Sequence, residues 1–250
     1  MSDGRPTPRD AAAWPDDRPP RDAATLVLVD RSDGAPRILM GRRRSTQVFL
    51  PDKFVFPGGR ADAEDRAAPR VGALRPGCMS RLAVAVDPSL MAGAAEALAL
   101  AAVRETFEET GHVLGRRDTG GKLSDHAAGA GWAAFLAHGM KPDLSALTFF
   151  ARAITPPGRP RRYDTRFFLA DARAVAATAP PPDDELREIG WFTVTELRSM
   201  DLPNITRLVV EDLVHHDSLP PAARLDWHPP FYRYAETAFQ RRLIAPDGLV

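Results

Sequence analysis

Arg104-Glu105-Thr106-Phe107-Glu108-Glu109-Thr110-Gly111 is the stretch on which the reading of this chain turns. It closes an alanine-rich run in which Leu100, Val103, Phe107 and Leu114 recur at helical spacing. That spacing predicts a helix over 92–114, with Gly115 as its C-cap. On such a helix Glu105, Glu108 and Glu109 stand at i, i+3 and i+4. Their carboxylates then share one face, roughly opposite Phe107. Three like charges at that spacing repel, and a bound cation offsets the repulsion. Hard cations such as Mg2+ take carboxylate oxygens, commonly beside substrate phosphates. The bland alternative is a solvated acidic face, so the surroundings of the triplet must decide.

Upstream, Lys53 to Phe56 reads as a short strand running into Pro57-Gly58-Gly59. Further upstream, the apolar run Ala24 to Val29 reads as a buried strand, and Arg37 to Arg42 as its hairpin partner. Residues 1–22 lack apolar periodicity and are expected to form a disordered tail. Residues 62–91 are irregular and are broken by Pro69, Pro76 and Pro88, so they read as an insertion. Downstream, Ser145 to Thr155, Thr165 to Ala170 and Leu186 to Val194 read as strands. Thr193 to Met200 and Ile205 to His215 read as helices, and Tyr232 to Leu243 as a closing helix. Strands and helices mix without regular alternation. The expectation is an α+β fold, an α/β/α sandwich with a mixed sheet between helices, as one domain over 23–250.

The segment resembles the core of the Nudix box, whose pattern is G-x5-E-x7-R-E-U-x-E-E-x-G-U, with U apolar. Arg104, Glu105, Glu108, Glu109 and Gly111 match its R, E, E, E and G, and FVFPGG at 54–59 resembles the strand and turn that open it. Glu96 lies eight residues before Arg104, as the pattern asks. Three departures stand beside these matches. Gly59 to Glu96 spans 37 positions where the pattern has 6, which implies about 31 inserted residues. Thr106 and His112 occupy the first and last U. On a continuous helix Glu96 falls on the Leu100–Val103–Phe107 side, away from the triplet. Either the helix starts after Glu96, or Glu96 matches by accident. A subgroup similar to the peroxisomal coenzyme A diphosphatases carries such an insertion and reads RETFEE. The likeness continues through TPPGRPRRYDTRFFLA at 155–170 and ELREIGWFTVTEL at 185–197.

The resemblance implies a metal-dependent hydrolase of diphosphate bonds in nucleoside-diphosphate-linked substrates, with Mg2+ or Mn2+ held by Gly59, Glu105, Glu108 and Glu109. Arg104 is expected to orient a neighbouring carboxylate. The general base varies in this superfamily, and Glu185 or Glu188 before the Gly190-Trp191-Phe192 strand is a candidate, with Glu188 preferred. Arg60, next to the glycine turn, and Arg161, Arg162 and Arg166, around Asp164, are candidate phosphate contacts. A surface ion-pair network would account equally well for the last three. Arg42, Arg43 and Arg44 form a charge run, which is more commonly a solvated face.

Composition narrows the rest. Lys+Arg and Asp+Glu both number 33, so no net charge steers the chain to nucleic acid or an anionic membrane. One cysteine, Cys78, permits no internal disulfide and fits a reducing compartment, so a cytoplasmic protein is expected. No apolar run reaches the ~18 residues of a membrane span. No G-x-S-x-G turn or phosphate-loop motif is present. His215-His216 reads as a helix cap, and Trp191 and Trp227 as core or pocket wall. The favoured substrate is coenzyme A or an acyl-CoA. ADP-ribose and NADH or other dinucleotides are alternatives, as are a modified nucleoside triphosphate and a non-catalytic ligand-sensing role. The stretch between RRRS and FPGG lacks the full arginine and glycine spacing of a coenzyme A signature. A homodimer is left open.

Overall fold

The apolar run at 24–29 lies at the centre of a mixed sheet in the computed structural model, which describes residues 19–47, 49–86, 94–117, 129–159, 161–235 and 238–250. Strand β1 (Arg21–Asp30) pairs in parallel with β7 (Tyr163–Asp171) and antiparallel with β2 (Arg37–Arg43). Beyond β7 lie β6 (Thr148–Ile154), β10 (Pro230–Ala235), β11 (Ala238–Ala245) and β12 (Gly248–Leu249). On the other flank β2 pairs with β3 (Phe54–Val55) and β9 (Leu186–Thr193). The short β4 (Gly58–Arg60) runs against the first half of β1. A separate pair joins β5 (His112–Leu114) to β8 (Val175–Thr178).

Successive side chains of a strand point to opposite faces, and here both faces are buried. Leu26 and Leu28 of β1, Leu39 of β2 and Phe168 and Ala170 of β7 pack into one apolar layer. Val27 and Val29, Ile38 and Met40, and Phe167 and Leu169 pack into the other. The first layer is covered by α2 (Ala94–Thr110), whose Leu98 to Val103 are almost wholly buried. The second is covered by α5 (Asn204–Ser218), through Val209, Val210 and Leu213. Each fully buried aliphatic side chain contributes about 1.5–3 kcal/mol. Two-sided burial therefore makes the sheet the stable platform for α2. This is the expected α/β/α sandwich. No helix of the described residues is long and apolar enough to cross a membrane.

Three boundaries differ from the sequence reading. The central helix ends at Thr110, not at 114. Gly111 takes φ +73°, donates to Phe107 O at 2.8 Å and closes the helix, while His112–Leu114 pairs with β8. Gly111, not Gly115, is thus the C-cap glycine. Its position is fixed by contact as well, because a Cβ there would lie 1.8 Å from the Ala179 carbonyl oxygen. Second, the described residues of the stretch Tyr232 to Leu243 belong to the antiparallel strands β10 and β11, not to a closing helix. Phe231 enters one apolar layer and Tyr232 the other, a period of two that aromatic residues favour. The helices near the C-terminal end are α4 (Val194–Ser199), α5 and α6 (Pro221–Leu225). Third, Arg21 and Asp22 belong to β1; the expected tail up to residue 18 lies outside the described residues.

The insertion carries a 3-10 turn at Ala63–Ala67 and α1 (Pro76–Leu82); residues 87–93 lie outside the described residues. It docks through Leu74, Cys78 and Leu82, which join the layer that contains α2. Arg152 of β6 binds the carbonyl oxygens of Val84 and Ala85 at 3.0 and 3.2 Å. Cys78 is buried.

Candidate metal centre

The site forms where α2 crosses the glycine turn. Gly58 donates its backbone N–H to Glu109 Oε2 at 2.8 Å. A Cβ on Gly59 would fall 2.4–2.6 Å from the Glu105 carboxylate, so only glycine leaves this space open. The β4–β1 pairing sets the approach, since Gly58 and Gly59 stand opposite Thr25 and Ala24. Strand register thus decides which backbone faces which glutamate.

Arg104 organises the carboxylates from within. Its Nη1 donates to Glu105 Oε1 and Glu108 Oε2, both at 2.9 Å. Its Nε and Nη2 bind the two oxygens of Asp65 at 2.8 and 3.1 Å, and Nη2 also binds the Arg60 carbonyl at 3.0 Å. Asp65 is fully buried and receives two more donors, the Asp62 N–H at 2.8 Å and the Trp132 indole at 2.9 Å. A buried charge needs this degree of pairing.

Asp65 therefore resolves the spacing problem. It stands six residues after Gly59, where the pattern asks for its first acid, and it makes the arginine contact. Glu96 instead pairs with Arg70 of the insertion, so its match to the pattern is accidental. The insertion thus lies between Asp65 and Arg104. The spacing from Gly59 could have revealed this, but aspartate in place of glutamate hid it.

Burial governs the electrostatics. It pushes Glu105 up to about 7, with Arg104 opposing and Glu108 adding to the rise. It raises Glu109 well above the usual carboxylate range, and the neighbouring Glu105 adds to that. Glu108 is raised for the same first reason. As they stand, no three acidic, His or Cys side chains among the described residues converge tightly enough to hold an ion, since Arg104 lies between Glu105 and Glu108. The donor chemistry nevertheless fits a hard divalent cation. The donors are all oxygen, two of the carboxylates are desolvated and mutually repelling, and the Gly59 backbone has a cleared approach.

The remaining sequence candidates divide. Glu185 ion-pairs with Arg43 at 2.7 Å, and its charge is felt by both Glu105 and Glu109. Asp183, on the same loop, donates its N–H to the Glu108 carbonyl at 3.1 Å. Glu188 is exposed, takes φ +49° and pairs with Arg42. The loop therefore brings Glu185, not Glu188, to the triplet. Arg42, Arg43, Arg44, Ser45 and Arg187 line a shallow cavity of roughly 170 Å³, with Asp52 and Glu188 at its wall. Arg60 is exposed and paired with Asp62, and Arg161 is exposed. Arg162 binds the Thr155 carbonyl. Arg166 differs from these: it is buried against Asp22 and Asp164, so its guanidinium serves the fold. Trp227 stacks on Phe150 and donates to its carbonyl, a core role as expected.

No family model matches the chain. A crystal structure of a Nudix hydrolase from Alicyclobacillus acidocaldarius superposes with a TM-score of 0.60 and 31% identity, over 79% of this chain and 92% of that one. The acyl-coenzyme A diphosphatase NUDT19 of Gallus gallus is 33% identical over 228 residues, 69% of this chain and 60% of its own length. Its Homo sapiens counterpart is 32% identical over 190 residues, 58% of this chain and 49% of its own. The sandwich, the glycine turn and the arginine-bridged glutamates, together with the 31% identity to that crystal structure, place this chain in the Nudix hydrolase family. It spans about half to three-fifths of the length of the two curated relatives.

Proposed function

We propose that this chain hydrolyses the diphosphate linkage of a nucleoside-diphosphate-linked substrate, with coenzyme A or an acyl-CoA as the substrate class. The observation that carries the proposal is Arg104 Nη1 held 2.9 Å from both Glu105 and Glu108 beside the Gly59 backbone. Two relatives named as acyl-coenzyme A diphosphatases support the substrate class.

Gly59, Glu105, Glu108 and Glu109 are the residues that would hold Mg2+ or Mn2+. When bound, the metal neutralises diphosphate oxygens and lowers the pKa of an attacking water. Arg104 keeps Glu105 and Glu108 in one orientation. Glu185, ion-paired with Arg43 on the loop beside the triplet, is the residue assigned to accept a proton from water. The arginine-lined cavity at Arg42–Arg44 suits the substrate's phosphates, with Arg60 and Arg161 as further contacts. Residues 23–250 act as one domain, since strands from both ends of this range share one sheet. The lone Cys78 supports a cytoplasmic setting.

Product release from coenzyme A, an acyl-CoA, ADP-ribose, NADH, diadenosine polyphosphates and nucleoside triphosphates, with Mg2+ or Mn2+, tests the proposal. Cleavage of the coenzyme A group that is lost in Glu108→Gln is the expected result. Cleavage of another member alone would move the substrate class. No cleavage of any member by the folded protein would favour a ligand-sensing role.

A further inference from the structure

Trp132 belongs to α3 (Ala130–Leu136), well beyond the motif, and is fully buried. Its indole Nε1 donates to Asp65 Oδ1 at 2.9 Å, the oxygen that also receives Arg104 Nε at 2.8 Å. The other oxygen, Oδ2, receives Arg104 Nη2 and the Asp62 N–H. Four donors thus fill the carboxylate and leave it one orientation. That orientation fixes the guanidinium plane, and the plane sets where Nη1 meets Glu105 and Glu108. The same helix touches the triplet directly, since a Cβ on Gly131 would fall 1.7 Å from Glu108 Oε1. Two neighbouring residues of α3 therefore bear on the centre, one through Asp65 and one through close backbone approach. Ring packing alone would not require this. Trp132 meets Phe135 edge-on, and Phe135 meets Phe107 edge-on, contacts any aromatic of similar size could make. Only the N–H reaches the charged chain.

We infer that Trp132 is a positioning residue for the metal centre, acting through Asp65 and Arg104. The inference rests on the metal-dependent reading above. Partners that orient ligating groups typically change metal affinity about 10- to 100-fold when removed. Trp132→Phe keeps a buried ring and deletes the N–H. Phe135→Leu disturbs the same packing and keeps the N–H.

The experiment is Mn2+ titration followed by electron paramagnetic resonance, on the full chain without substrate, with urea unfolding of each variant beside it. Trp132→Phe is expected to weaken Mn2+ binding about tenfold, while Phe135→Leu, though destabilised, keeps the wild-type affinity. Equal affinity of Trp132→Phe and wild type overturns the inference, as does equal weakening by both variants. Absence of Mn2+ binding by the wild type overturns the metal reading itself, and this inference with it. Should Trp132→Phe not fold, the wild-type indole N–H resonance of Trp132 decides. A shift on adding Mg2+ supports the coupling, and an unmoved signal refutes it.

Discussion

Asp65 and Arg104 lie 39 residues apart in the chain and meet in a two-point ion pair, Nε to Oδ1 at 2.8 Å and Nη2 to Oδ2 at 3.1 Å. Both side chains are buried, so neither charge can fall back on water. Removing one partner of a buried pair costs about 3–5 kcal/mol, whereas an exposed pair contributes under about 1 kcal/mol. Asp65→Ala is therefore expected to lower stability severalfold more than Glu96→Ala, measured by urea unfolding. Equal losses would return Glu96 to the motif.

A pH dependence follows from Glu105. Its folded pKa, about 7, exceeds the ordinary value of 4.5. Between those values the folded chain binds more protons than the unfolded one, so this group's contribution falls as pH rises through the window. The loss is roughly 3 kcal/mol for the full shift. In EDTA, thermal stability should decline from pH 5 to pH 8, and Glu105→Gln should flatten the decline. Mg2+ favours the ionised form, so its stabilising effect should grow over the same range. Melting curves with and without Mg2+ that stay parallel across pH would sink this account.

Gly59→Ala probes the close approach of backbone and carboxylate. The added methyl would meet Glu105 at 2.4–2.6 Å, so the carboxylate must move. A displacement near 1 Å in a catalytic site costs on the order of a hundredfold in rate. The variant should stay folded and lose about that much kcat/KM. Retention of full activity would show that Glu105 need not face Gly59.

Arg166 and Arg60 should respond in opposite ways. Arg166 is enclosed by Asp22 and Asp164, and Arg166→Ala should cost about 3 kcal/mol or more in urea unfolding. Arg60 is exposed, and Arg60→Ala should shift stability by under about 0.5 kcal/mol while raising KM. A Michaelis constant unchanged by Arg60→Ala would remove it from the substrate contacts.

Helical spacing made the glutamate triplet legible, and the apolar runs marked β1 and β7, because those signals are local. The helix end is ambiguous in the sequence because Gly111 and Gly115 both follow helix-forming residues; the left-handed φ of Gly111 and the pairing of His112–Leu114 with β8 decide for Gly111. The sequence of β10 and β11 suggests a helix because the two burial faces of these strands exist only once β6 lies beside β10. The roles of Asp65 and Trp132 are not legible in the sequence because they depend on residues far along the chain meeting in space. For Arg166 the sequence leaves a phosphate contact and an ion-pair network equally open, and its burial beside Asp164 and Asp22 decides for the ion pairs.

The placement of the insertion has an evolutionary consequence. Residues 66–103 separate Asp65 from Arg104, 38 positions where the uninterrupted motif has 7. Loop-closure entropy rises only logarithmically, so the added length costs about 1.5 kcal/mol. The two ends are clamped together by the ion pair whatever is threaded between them. Selection is thus free to lengthen, shorten or replace the part of this stretch that precedes α2, residues 66–93, while the buried helix and the hydrolytic machinery beneath it stay in register, and relatives can diverge most at the point where their shared signature is cut in two.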